Sequence, residues 1–125
     1  LKKLKSSINR KKLISEKYKQ ILHKNKNIKF LKLKANYTSS YPLFNILVNE
    51  RDKLRMYLKK KNIPTNIYYP RALNDQRIFK NLNMKSEMYN SKKLVKTIIS
   101  LPFHLSLKDN QVKYIAKNIN KFYKK

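Results

Sequence analysis

Two histidines, six acids and no cysteine bound the chemistry this sequence could perform. Without a thiol there is no cysteine nucleophile, no thiolate metal site and no disulfide scaffold. Without a single glycine there is no Gly-rich phosphate loop or dinucleotide fingerprint, because a side chain at every turn holds the backbone away from a phosphate. His23 falls at the end of an amphipathic stretch, where solvation accounts for it. His104 follows Leu101-Pro102-Phe103 in a turn, where a structural hydrogen bond explains it better than a base or a metal ligand. The acids are too few to build a His/carboxylate cluster at zinc spacing. Glu50 and Asp52 stand two apart and point to different faces of a helix, so helix-end electrostatics suit them better than paired acid–base work.

The segment with the most to display runs from Asn62 to Gln76. An extended run ends on Tyr68-Tyr69-Pro70, and Arg71, Asn74 and Gln76 follow in an irregular loop before a short helical turn. Polar groups held out on a loop by a rigid strand are a common form of binding site. A strand end with a merely solvated loop has the same sequence.

The elements that must position this loop follow from periodicity. Leu1, Leu4, Ile8, Ile14, Tyr18, Ile21 and Leu22 share one arc of a helix, interrupted by Lys11 and closed by Asn25-Lys26-Asn27. A short extended piece, 28–34, leads to a polar connection and to Tyr41-Pro42. Leu43 to Val48 has the length of a buried strand. Asn49 then offers an N-cap, Glu50 and Asp52 the acids of a first turn, and Lys59, Lys60 and Lys61 the bases of a last turn. Asn62 and Pro64 close that helix, with Leu54 and Leu58 inward. Thr65 to Tyr69 reads as a second strand, Ser86 to Leu94 as a short helix and Thr97 to Leu101 as a third strand. Ser106 to Asp109 resembles a capping arrangement for a last helix with Val112, Ile115, Ala116, Ile119, Phe122 and Tyr123 on one face.

The expected fold is α+β: a small three-stranded mixed or antiparallel sheet with helices packed on it, preceded by a long N-terminal helix. The helix between the first two strands is long enough for a crossover, so those strands are expected to run parallel, with the third antiparallel between them. The 125 residues suit one domain, with residues 1–24 as a linking helix and 41–125 as the core. No uncharged stretch is long enough to cross a membrane, which takes about 20 apolar residues. The first residues carry no signal peptide, and without an initiator Met the chain is expected to be the tail of something longer.

The formal net charge is +26, from 32 Lys and Arg against 6 Asp and Glu. Such a balance points to nucleic acid or an anionic surface. Yet the excess is lysine (27, against 5 arginines), and lysine, asparagine and isoleucine fill 54 of the 125 positions. Those three have the most A/T-rich codons, so a biased genome would give this composition to any surface. Nucleic-acid readers also favour arginine for its bidentate geometry. The charge is read as mainly compositional.

Tyr41-Pro42-Leu43-Phe44-Asn45-Ile46-Leu47-Val48, Arg51-Asp52, Ile63-Pro64-Thr65, Ile67-Tyr68-Tyr69-Pro70 and Ile99-Ser100-Leu101-Pro102-Phe103-His104 follow one another in order. Together they resemble the C-terminal domain of the DegT/DnrJ/StrS sugar-nucleotide aminotransferases. Leu1-Lys2-Lys3-Leu4 resembles the helix leading out of that family's large domain. The resemblance implies the small domain of a fold type I, pyridoxal 5'-phosphate (PLP) dependent transaminase. Such an enzyme moves an amino group, usually from glutamate, to a keto-sugar on a nucleotide diphosphate, in cytoplasmic polysaccharide, O-antigen or glycan biosynthesis. It works as a homodimer. The Schiff-base lysine and the cofactor's phosphate contacts would lie N-terminal to this chain, leaving it inactive alone and its first helix in need of the large domain. By the same carry-over Tyr68 and Tyr69 contact the substrate's diphosphate or sugar, and Gln76 supports the loop. Ala72 stands where the family often has Pro, and Asn74 where it often has His; asparagine keeps hydrogen-bonding groups but no ionisable one. Arg71 joins the site residues on charge. The alternative is a free-standing basic domain binding RNA or DNA through lysine and stacked tyrosine.

Overall fold

The computed structural model describes residues 2–32, 36, 37, 39–79 and 88–124. The order is α1 (Lys2–Leu22), β1 (Ile28–Phe30), β2 (Phe44–Val48), α2 (Arg51–Lys60), α3 (Tyr89–Thr97), β3 (Ile98–Leu101) and α4 (Asp109–Phe122). Two single 3-10 turns, Leu73–Asp75 and Arg77–Phe79, lie between α2 and α3. The α+β class expected from the sequence is the class observed.

The sheet is antiparallel throughout, ordered β1-β2-β3. Its make-up differs from expectation in two places. Ile28–Phe30, expected only as an extended lead-in, is a strand, pairing Ile28 with Val48 and Phe30 with Ile46. The segment from Thr65 to Tyr69, expected as a strand, touches the sheet only where Asn66 exchanges backbone hydrogen bonds with Ser100 at 2.8 and 3.1 Å. Pro64 and Pro70 flank it and have no N–H to extend a ladder. Both β2 and Asn66 are antiparallel to β3, so β3 does lie between two segments of like direction.

Alternation decides the core face. Phe44, Ile46 and Val48 are buried while Asn45 and Leu47 are only half-buried. Ile46 lies opposite Ile99 and Phe44 opposite Leu101. On this face sit Ile14, Tyr18 and Leu22 of α1, Leu54 and Leu58 of α2, and Val112, Ile115, Ala116 and Ile119 of α4. The second half of α1 is thus built into this domain's own core, packed along α4. The interruption at Lys11 is resolved by its ammonium, which lies 5.9 Å from the centre of the Phe103 ring over an otherwise apolar contact.

With no glycine available, other residues take the left-handed positions. Asn62 has φ 56° just past α2. Its N–H reaches Lys59 O and that of Ile63 reaches Leu58 O, both at 3.0 Å, while Ile63 and Leu58 bury together. At the other end the N-cap is Glu50, with φ 49°, rather than the expected Asn49. Asn49 is occupied elsewhere: its side-chain N–H donates to Asn27 Oδ1 at 3.2 Å and its backbone N–H to Asn27 O at 3.1 Å. Lys108 is the N-cap of α4, and Gln111 Oε1 accepts its backbone N–H at 2.8 Å. The expected start of α3 at Ser86 and Glu87 lies outside the described residues. Thr97, expected in β3, closes α3 by donating its hydroxyl to Lys93 O at 2.9 Å.

Candidate functional site

The candidate loop leaves the sheet at the Asn66–Ser100 bridge. Asn45, Ser100 and Asn66 make a polar row across the sheet there, with the Ser100 hydroxyl donating to Asn45 Oδ1. Ser100 is only 5% exposed, so this bond satisfies a buried hydroxyl and fixes where the loop begins. Two residues on, the Asn66 side-chain N–H donates to the Tyr68 hydroxyl at 3.2 Å. Asn66 was not singled out from the sequence; its signal is the spacing of two in an extended run, which puts both side chains on one face.

Tyr68 is 44% exposed and Tyr69 is 75% exposed. Arg71 and Gln76 are exposed as well, and Asn74 lies within the first 3-10 turn. Ala72 turns inward, at 5% exposure, and pins the loop. That turn closes with Asp75 N–H to Ala72 O at 3.0 Å and Gln76 N–H to Leu73 O at 3.2 Å. The structure therefore gathers the five candidates on one continuous segment. None of Tyr68, Tyr69, Arg71 and Gln76 lines the larger clefts among the described residues. An open loop of phenols, a guanidinium and an amide can bind oxygen-rich ligands as one wall, but it cannot by itself exclude water or hold a nucleophile.

The mounting of the loop depends on bonds distant in sequence. The Tyr18 hydroxyl donates to Pro102 O at 3.0 Å, and its ring stacks on Phe44 with centroids 4.9 Å apart. Burial pushes that phenol's pKa up. Arg10 donates to Leu107 O at 2.6 Å and to Asp109 Oδ1 at 3.2 Å, and Lys17 also pairs with Asp109. Lys17's hydrogen bond holds the Asp109 carboxyl below its usual range, reinforced by Arg10 and partly opposed by desolvation. The Tyr123 hydroxyl donates to Asn49 O, and burial, with the Glu50 carboxylate nearby, pushes its pKa up to about 12.

PLP chemistry requires a lysine amine inside a closed, desolvated site. Among the lysines whose exposure the structure describes, none is buried. Of these, Lys11 lies over Phe103 and Lys17 on Asp109, and the others are exposed. These residues do not fit that cofactor. Nor do three or more His, Asp or Glu gather among the described residues where a metal ion could sit. No helix among them is long and apolar enough to cross a membrane.

The fold is one found in aminotransferases of known structure. The sequence model of the DegT/DnrJ/EryC1/StrS aminotransferase family matches residues 1–120, and this chain belongs to that family. A relative described as a pleiotropic regulatory protein, from Geobacillus stearothermophilus, is 34% identical over 82 residues, covering 65% of this chain and 22% of that protein. A DegT DnrJ EryC1 StrS aminotransferase from Brucella abortus superimposes with a TM-score of 0.86 at 26% identity, over 96% of this chain and 32% of that one. The candidate sugar aminotransferase Spr1654 from Streptococcus pneumoniae, solved in PMP and PLP forms, gives 0.77 at 26% identity over 95% of this chain. The chain spans about a third of the length of these solved relatives. The family is one of PLP-dependent aminotransferases.

Proposed function

We propose that this chain is the C-terminal small domain of a PLP-dependent transaminase acting on a nucleotide-linked keto-sugar, with glutamate as amino donor. The observation that carries the reading is the family match over residues 1–120. In this reading the cofactor, its Schiff-base lysine and its phosphate contacts belong to a large domain outside these residues, and the chain alone performs no transamination. The loop supplies one wall of the sugar-nucleotide site. Tyr68 and Tyr69 donate to diphosphate or sugar oxygens, Arg71 offers charge to the diphosphate, and Asn74 and Gln76 hold the loop and bond sugar hydroxyls. The enzyme works in the cytoplasm as a homodimer, providing amino-sugars for polysaccharide or glycan assembly such as an O-antigen.

The coding DNA upstream of the Leu1 codon tests this directly. An open frame encoding a large domain with a PLP lysine is the expected result. The product of that frame should then lose PLP absorbance on addition of L-glutamate and regain it with a nucleotide-linked keto-sugar. A frame that begins at Leu1, or a product that binds no PLP, would overturn the proposal.

A further inference from the structure

A cleft of about 500 Å³ opens between the outer edge of β1–β2 and α3. Its floor is apolar: Leu47 projects from the face of β2 opposite the core, and Leu94 of α3 lies 39% exposed across from it. Register sets Lys29 directly opposite Leu47, so the Lys29 side chain leaves the sheet on the same outer face. Lys26 precedes the same strand and Lys93 precedes Leu94 on α3, so three lysines line the cleft around one apolar floor. Among the described residues no carboxylate lines this cleft, and none pairs with these lysines. Elsewhere Glu16, Glu50, Asp52 and Asp109 each have a basic partner. Asn27 and Asn49 also line the cleft, joined by the Asn49 side-chain N–H donating to Asn27 Oδ1, a bond that leaves the Asn27 side-chain N–H and Asn49 Oδ1 unused.

We infer that this cleft binds an organic anion with a planar apolar body, of nucleoside-monophosphate size. The volume falls within the range of small-ligand pockets, about 300–1,000 Å³. A dianionic phosphate answers the three ammonium groups, the ring lies over Leu47 and Leu94, and the amide pair offers donor and acceptor to the ring's polar edge. None of the loop residues from Tyr68 to Gln76 takes part, so the inference does not depend on the proposed transaminase activity.

Titration of the full chain with AMP, by calorimetry and by amide NMR shifts at 150 mM NaCl, tests it. Saturable binding is expected, with a Kd of about 100 µM and the largest shifts at Lys29, Leu47 and Leu94. Lys29→Ala with Lys93→Ala should weaken it about tenfold, and Leu94→Asp should abolish it; all three positions are exposed, and thermal melts confirm that the variants fold. Lys113→Ala with Lys117→Ala on α4 removes the same charge away from the cleft and should leave the Kd unchanged. Equal weakening by the two lysine pairs would overturn the inference in favour of diffuse polycation attraction. So would inorganic phosphate competing as well as AMP, or no saturation.

Discussion

The bond from the Tyr18 hydroxyl to Pro102 O joins residues 84 apart, and the Tyr18→Phe variant isolates it. Phenylalanine keeps the ring in its fully buried place and keeps the 4.9 Å stack on Phe44, so no cavity opens. What is lost is one hydrogen bond, and the Pro102 carbonyl is left without its donor. Exchanging a made bond for an under-satisfied carbonyl costs about 1–2 kcal/mol, with some offset because the phenol no longer has to be desolvated. For 125 residues, an unfolding entropy of about 2.1 cal/mol/K per residue gives about 0.26 kcal/mol/K for the chain. The expected fall in Tm is therefore about 4–8 °C. Circular dichroism melts and urea titrations of the full chain measure it. The urea midpoint should drop while the slope stays constant, since both proteins expose the same surface on unfolding. A Tm within about 1 °C of the parent would refute the reasoning. It would mean that water serves Pro102 O equally well and that this bond adds nothing to the hold on α1.

Asp109→Asn tests the helix-end pair. The folded carboxyl sits below its unfolded range, so its contribution is present above the unfolded pKa of about 3.9 and is lost as pH falls through the folded value. Urea midpoints of parent and variant should differ at pH 7 and converge in acid, and a constant gap would count against the pairing with Lys17 and Arg10. Tyr123 has the opposite sign: its raised pKa stabilises the fold below the unfolded value near 10, and that contribution is lost as pH rises toward about 12. Tyr123→Phe should flatten the alkaline loss of stability, and phenolate absorbance in the parent should titrate late. Asn62→Ala should cost about 1 kcal/mol in urea titrations because alanine resists φ 56°, whereas Asn62→Gly should not destabilise. Tyr69→Ala should leave Tm within about 2 °C, since the side chain is exposed. In the longer parent enzyme it should raise KM for the sugar nucleotide about tenfold, and an unchanged KM would remove Tyr69 from the site.

Local pattern was enough for much of this protein. Helix α4 was legible because its buried residues recur at helical spacing, and α2 because acids, bases and Asn62 mark its ends. The Tyr68-Tyr69 loop was legible because prolines and aromatics punctuate it. The absence of glycine and cysteine removed whole classes of chemistry without any fold being needed. Pairing was not legible. Three residues, Ile28–Phe30, became a strand because β2 offered them an edge, while Thr65 to Tyr69, richer in strand-forming residues, was left with one bridge. Which backbone finds a partner is a long-range fact, and propensity gives way to it. Tertiary structure alone decided that Asn49 serves Asn27 rather than capping α2. It also made the cleft beneath Lys29, Leu47 and Lys93, which lie far apart in sequence and meet only when β1, β2 and α3 assemble.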